Sequence, residues 1–298
     1  MFNISAPSEY SFEYIESSKC RPFMDKFHIQ LIRDVISKKD YNWNCIDDAF
    51  NVAQVSGTES VYSKFKSLFQ SHITLSKLNS ITGLETAARV DIIQGCTQYI
   101  ENLHLKGDVQ VLENEYSYHY KINPRVMICK IENLQPGIPL IVSIPFSSIG
   151  TARPDMLELL DSCALLKIPV HLDGAWITAA KNINIDFCHP AIVSLGISMS
   201  KGYGTSGWNR VGLRWTKNSC EDSITLINDH LQVTAYPVVI GNYILENMKP
   251  DHLWNTHGSN HFKICNDFEL IPSDTIHMVT RDHKIFGIAP LLRYLENA

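Results

Sequence analysis

Three residues in the second half of the chain have types and spacing suited to shared chemistry: Asp173, Lys201 and Arg210. Asp173 directly follows an apolar run, Lys201 stands 28 residues later in a Ser/Gly-rich turn, and Arg210 follows after nine more residues. A lysine amine can be a nucleophile, a carboxylate can stabilise a buried cation, and an arginine can bind an anion. Each residue alone is more typical of a helix cap or a surface charge. Their combination indicates a site.

One cofactor, pyridoxal 5′-phosphate (PLP), needs this whole set. It needs a lysine amine for a Schiff base, and an acid that keeps its pyridine nitrogen protonated. It also needs cations or backbone N–H groups for its phosphate, and a flat side chain against its ring. The sequence therefore predicts that Lys201 carries PLP and that Asp173 supports the ring nitrogen.

The order of these residues resembles the fold-type-I PLP-dependent enzymes, the aspartate aminotransferase superfamily. In that family an Asp ends a strand, a Ser-x-Ser-Lys turn follows, and an Arg-x-Gly step comes soon after. The matching positions are Asp173, then Ser198, Ser200 and Lys201, then Arg210. The resemblance extends over residues 92–215.

Upstream, the resemblance implies two further parts of a PLP site. Gly95, Cys96 and Thr97 look like the family's turn at a helix N-terminus, which binds the cofactor phosphate. The aromatic residue that stacks on the ring corresponds to Tyr116, with Tyr118 as the second choice.

The sequence departs from the family at the contacts to the ring hydroxyl. The family's Asn is replaced by Ser147 or Ser148, and its Tyr, three residues beyond the Asp, is replaced by Trp176. An indole N–H can donate a hydrogen bond, but it cannot reproduce the geometry of a tyrosine. The ordinary way of tuning the cofactor is therefore altered.

The family also draws an arginine from its C-terminal domain to hold the substrate carboxylate. Only 88 residues follow Arg210, so we expect that domain to be reduced. Arg281, at the end of a strand-like run, is the candidate, and Arg293 in a terminal amphipathic helix is the alternative.

The elements that must position these residues predict an α/β protein. We expect the first ninety residues to be helical, with helices over 22–38 and 60–70. Short apolar runs predict strands at 109–112, 126–129, 139–144, 169–172, 191–197 and 275–280. A helix that begins at Pro154 would join two of them as a crossover, which implies parallel strands. We therefore expect a three-layer sandwich around a mainly parallel sheet over 1–220, and a small α+β domain over 221–298.

Composition excludes several other classes of protein. The net charge of −5 is mixed along the chain, so no basic stripe suits nucleic acid. The apolar runs are too short to span a membrane. The eight cysteines show no zinc-finger spacing, so we expect no metal. They read as reduced thiols, which favours the cytoplasm.

The leading hypothesis is an aminotransferase that acts on an amino acid or a related primary amine. A PLP-dependent decarboxylase or lyase remains an alternative, because the same electron sink serves all three reactions. A non-catalytic relative of the fold is a further alternative. A nucleotide-binding loop at 94–98 lacks the usual glycine pattern. The resemblance also implies a homodimer.

Overall fold

The computed structural model describes residues 6–17, 20–37, 60–218 and 221–298. Its strands are β1 (Glu16–Ser17), β2 (Ser80–Thr82), β3 (Arg89–Ile93), β4 (Gln110–Leu112), β5 (Met127–Cys129), β6 (Leu140–Ser143), β7 (Val170–Gly174), β8 (Asn184–Asp186), β9 (Ile192–Ser198), β10 (Gly212–Thr216), β11 (Ile271–Pro272), β12 (Met278–Arg281) and β13 (Lys284–Gly287). Its α-helices are α1 (Lys26–Ser37), α2 (Val61–Thr74), α3 (Gly95–Leu105), α4 (Tyr118–Ile122), α5 (Met156–Leu165), α6 (Ser223–Asp229), α7 (Ala235–Asn247), α8 (His252–Asp267) and α9 (Ala289–Asn297).

The central sheet has seven strands in the order β3-β10-β9-β7-β6-β4-β5. The strands from β9 to β5 are parallel, and β10 is antiparallel to both of its neighbours. Its strands are nearly all buried along their length, as expected of a sheet that is covered on both faces. The α/β sandwich with a mainly parallel sheet is confirmed.

This topology brings several loops to one edge of the sheet. The carboxyl ends of β3, β4, β6, β7 and β9 all lie there, because those five strands run in the same direction. The antiparallel strand β10 begins at that edge, with Gly212 opposite Ser198. Ligands of open α/β sheets bind beyond the carboxyl ends of the strands. The chemistry-bearing loops therefore meet where the fold favours a site.

Two expectations about the elements need correction. The first ninety residues are not all helical, since β2 and β3 precede residue 94; the end of the first predicted helix, at Lys38, lies outside the described residues. The crossover helix α5 begins at Met156 rather than at Pro154. The Asp155 carboxylate binds the Arg153 guanidinium at 2.7 and 2.9 Å, and it accepts no hydrogen bond from the helix.

A second, smaller sheet has the antiparallel order β1-β13-β12-β11, so it joins the N-terminal segment to the C-terminal one. Its apolar side packs with α8 and α9 around Phe23, Trp254 and Leu292. In the described part of the chain, we find no helix with the length and apolar character that a bilayer crossing requires. The cysteines there are free thiols; Cys45 and Cys220 lie outside it.

Candidate active site

A cavity at the carboxyl edge of the central sheet collects most of the predicted site residues. It is lined by Cys96, Thr97, Ile100, Tyr116, Ser143, Ser147, Asp173, Ala175, Trp176, Ser198, Ser200, Lys201 and Arg210. Residues that are far apart in sequence thus face one space. Gly95 adjoins it, at the start of α3.

Lys201 lies in the turn that follows β9, and a glycine allows that turn to fold tightly. A Cβ atom at Gly202 would lie only 2.0 Å from the Thr178 carbonyl oxygen. The Gly202 N–H instead donates to Thr178 Oγ1 at 3.0 Å. The turn is held against the 3-10 helix Ile177–Ala179, which fixes where the Lys201 amine can reach.

The N-terminal segment holds the same turn from another side. Asp25 is buried, and its carboxylate binds the rings of His28, His252 and His257 at 2.7 to 2.9 Å. The other ring nitrogen of His28 lies 3.0 Å from the Gly202 carbonyl oxygen. A hydrogen-bonded chain thus runs from α8 through Asp25 and His28 to the residue beside Lys201.

The Lys201 amine is in a state suited to nucleophilic attack. Burial, together with the nearby positive charge of Arg210, lowers its pKa to about 8. A substantial fraction of the amine is therefore neutral near physiological pH. Its Nζ lies 4.2 Å from the centre of the Trp176 ring, and the His277 ring also packs against that indole, with centroids 4.6 Å apart.

Asp173 is the last residue but one of β7, and its carboxyl group is buried. It is 3% exposed, and its Oδ1 accepts a hydrogen bond from the Ala175 N–H at 3.0 Å. Burial and the nearby negative charge of Glu115 raise its pKa to about 7. A carboxyl group in this state would be stabilised as an anion by a cationic ligand placed beside it.

Arg210 and the N-terminus of α3 form an anion-binding corner. The Arg210 guanidinium donates to Thr97 Oγ1 at 2.6 Å and to the Gln94 carbonyl at 3.3 Å. Gly95 has a φ of 74°, and a Cβ atom there would lie 3.1 Å from Arg210 Nη2. The first N–H groups of the helix have no partner within the helix, so this corner combines them with a cation.

The alternatives that the sequence left open lie in different places. Tyr116 and Ser147 line the cavity, whereas Tyr118 and Ser148 do not. Tyr118 instead hydrogen-bonds Glu101. The hydroxyl groups of Ser198 and Ser200 form a hydrogen bond of 2.6 Å with each other on the cavity wall.

The substrate-binding candidate lies elsewhere. Arg281 is not among the lining residues, and its guanidinium stands over the Phe12 ring at 5.5 Å from the centroid. Arg293, the alternative, lies in α9 and does not line the cavity either.

Sequence reasoning missed two polar residues: Ser143, which lines the cavity, and Glu115, which lies behind it. Ser143 is the last residue of β6 and lines the cavity. Glu115 is 3% exposed and binds both Ser143 and Ser147. The position of Ser143 at a strand's end was a usable signal, whereas Glu115 lay unmarked between the strand at 109–112 and the aromatic cluster at 116–120.

Comparisons with known proteins identify the fold. No family model matches the chain, and no curated protein matches it. One similar solved structure is a PLP-bound C-S lyase from Staphylococcus hominis. The two chains are 12% identical, with a TM-score of 0.61, and the match covers 91% of this chain and 76% of the lyase. The histidinol-phosphate aminotransferase from Clostridium acetobutylicum has 13% identity, a TM-score of 0.53, and coverage of 95% and 98%. The L-threonine-O-3-phosphate decarboxylase from Porphyromonas gingivalis has 14% identity, a TM-score of 0.54, and coverage of 89% and 80%. The chain therefore has the fold of the fold-type-I PLP-dependent enzymes.

Proposed function

We propose that this chain is a PLP-dependent aminotransferase that acts on an amino acid or a related primary amine. The observation that carries the proposal is the presence of Lys201, Asp173 and the Arg210 corner in one cavity, where burial brings the pKa values of the lysine and the acid close to neutrality. Similar solved structures contain PLP by their own descriptions.

The residues fit the cofactor by the chemistry of their donors and acceptors. The Arg210 corner with Gly95, Cys96 and Thr97 would bind the phosphate, with Ser198 and Ser200 on the adjoining wall. The Lys201 amine would hold the aldehyde carbon, and Asp173 would pair with the protonated ring nitrogen. Tyr116 and Trp176 offer flat faces to the ring. When bound, PLP supplies an electron sink for a carbanion at the substrate's α-carbon.

Residues of this chain would then accept and donate the protons of the reaction. A neutral Lys201 amine can accept a proton from the substrate carbon and return it elsewhere, because its pKa of about 8 matches that task. Asp173 would remain ionised opposite the positive ring nitrogen. Trp176 packs against the lysine and limits the space in which the amine moves.

A decarboxylase or lyase is the second candidate. The observation that favours it is the presence of Ser147 and Trp176 where aminotransferases of the resembled family carry Asn and Tyr.

We also propose that the chain forms a homodimer, which light scattering would test. We propose a cytoplasmic location as well.

The test is covalent trapping of the cofactor followed by an assay with amino acids. Protein supplied with PLP should turn yellow, and borohydride should fix the cofactor to the peptide that contains Lys201. Lys201→Ala should lose this label, whereas Lys249→Ala, which removes an exposed lysine, should retain it. Amino acids that yield keto acids would support transamination, and release of carbon dioxide or sulfide would favour the alternatives. A wild-type protein that takes up no PLP would refute the proposal.

A further inference from the structure

Glu115 is a buried carboxylate that lies behind Ser143 and Ser147, two residues that line the cavity. In the part of the chain that the structure describes, the hydrogen bonds of this carboxylate all come from donor groups. It accepts hydrogen bonds from the Tyr116 N–H at 2.7 Å, from the Ser143 N–H at 2.8 Å, from the Ser147 hydroxyl at 3.0 Å and from the Ser143 hydroxyl. The two backbone N–H groups can only donate, and the two hydroxyls donate to the ionised form. Burial raises the pKa of Glu115, and these four hydrogen bonds counteract that rise because they stabilise the anion. No lysine, arginine or histidine of the described chain forms an ion pair with it.

The contacts to Glu115 fix the direction in which the two serine hydroxyls point. A hydroxyl has one proton to give. Ser143 gives its proton to Glu115, and its oxygen also accepts the Ser147 N–H at 2.9 Å. Ser147 gives its proton to Glu115, and the other acceptor within its reach is the Asn114 carbonyl at 3.4 Å. Both serines therefore present lone pairs, and not protons, to the cavity that they line.

We propose that Glu115 makes this wall of the active site an acceptor of hydrogen bonds, so that the ring hydroxyl of bound PLP keeps its proton. The inference rests on the proposed function, since it concerns the same cavity. In the resembled family an Asn and a Tyr contact the ring oxygen, and a hydrogen-bond donor at that oxygen would favour its deprotonated form. Here Ser143 and Ser147 present acceptors of hydrogen bonds, and the negative charge of Glu115 lies behind them. Trp176, at the position of the Tyr, also lines the cavity and keeps an N–H that can donate.

Other charged and titratable groups around the cavity also act on a bound ligand, beside the negative charge of Glu115. Lys201 and Arg210 are cations that line it, Asp173 is a carboxylate that lines it, and the His277 ring packs against Trp176. Burial is the largest cause that raises the pKa of Asp173, and the negative charge of Glu115 is the second. Replacing Glu115 with Gln keeps the shape and removes the charge. Both serine hydroxyls bind Oε1 of Glu115. With the NH2 group of Gln at that place, the amide donates to the serine oxygens and frees a hydroxyl proton to point into the cavity.

The experiment is an absorbance titration of PLP-loaded protein, in wild type and in Glu115→Gln. The ring hydroxyl of Lys201-bound PLP shares one proton with the nitrogen that joins the lysine to the cofactor, and the absorption band moves when that proton is lost. The midpoint of the band change is therefore the pKa of this coupled pair, and it is read without turnover. We expect Glu115→Gln to lower this midpoint by about one pH unit or more, because loss of a nearby negative charge favours the deprotonated form. Glu113→Gln makes the same chemical change on an exposed side chain two residues away and should leave the midpoint unchanged.

A second variant tests the inference if Glu115→Gln does not fold. Ser147→Ala removes one acceptor from a partly exposed position, and we expect a smaller shift in the same direction. Equal midpoints in wild type, Glu115→Gln, Glu113→Gln and Ser147→Ala would overturn the inference, while covalent labelling at Lys201 would still support the proposed function. Failure of wild type to bind PLP would instead remove the proposed function itself.

Discussion

Two buried clusters of charge lie on the central sheet, and their ionisation differs. The first, the Arg214 cluster, consists of Arg214, Asp91 and Asp222. Arg214 is 1% exposed and bonds each carboxylate at 2.6 Å. The second, the cavity cluster, consists of Asp173, Lys201 and Glu115, and within the described chain no ion pair joins any two of them.

The pKa shifts of the two clusters run in opposite directions. Burial alone would raise the pKa of Asp222 and lower that of Arg214, but their mutual hydrogen bonds reverse both shifts. In the cavity cluster burial prevails, so the pKa of Asp173 rises to about 7 and that of Lys201 falls to about 8. In a paired cluster, the attraction between opposite charges offsets the free-energy cost of burying them. Buried groups without an ion pair lower the stability of the fold, and their shifted pKa values are typical of functional sites.

The Arg214 cluster should give the largest loss of stability when it is broken. Arg214→Met removes the central cation, and each carboxylate keeps one cationic partner: Arg89 for Asp91 and Lys106 for Asp222. We expect the free energy of unfolding to fall by about 3 kcal/mol, the lower end of the loss for a broken buried pair, measured by urea denaturation. Arg125→Met, at an exposed arginine, is the control and should change it little. Unchanged stability in Arg214→Met would show that the pairing contributes nothing net.

The two clusters also show what the sequence can and cannot reveal. Asp173, Lys201 and Arg210 were found because each follows or precedes a strand in a short, ordered pattern. Glu115 was missed because its partners Ser143 and Ser147 are 28 and 32 residues away, and only the parallel pairing of β4 with β6 brings them together.

Strand β3 was missed for a related reason. It is five residues long and includes Arg89 and Asp91, which are unusual in a buried strand. The Asp91 carboxylate is compensated by Arg214, 123 residues later, and by Arg89 on the same strand. Local pattern therefore identified apolar strands of the central sheet, whereas β3 carries charged residues whose partner Arg214 lies far away in sequence.

Asp173→Asn should separate catalysis from cofactor binding. The asparagine keeps the shape but cannot stabilise a protonated ring nitrogen, so the electron sink weakens. We expect PLP to remain bound through Lys201 and the Arg210 corner, while turnover falls at least about a hundredfold, or roughly 2.7 kcal/mol in barrier height. Steady-state kinetics on an accepted amino acid would measure this loss. Asp282→Asn, at an exposed aspartate, should match the wild type. Near-normal turnover in Asp173→Asn would remove Asp173 from the chemistry.

The same substitution should act in the opposite direction on the stability of the cofactor-free protein. The pKa of Asp173 is about 7 in the folded chain and has an ordinary value of 3.8, so the folded state binds this proton more tightly than the unfolded state. Stability is then lost as the pH rises from about 4 to about 7, and above that range the folded state carries the full cost of the ionised carboxylate. Asparagine does not ionise and avoids this cost. We expect Asp173→Asn to be more stable than wild type at about pH 8, by on the order of 2 kcal/mol, and to lose that advantage near pH 4. Urea denaturation of both proteins at several pH values, without PLP, measures the difference. A constant difference across the range would mean that Asp173 does not titrate in it. A loss of stability in Asp173→Asn at high pH would instead place Asp173 with the paired charges of the Arg214 cluster.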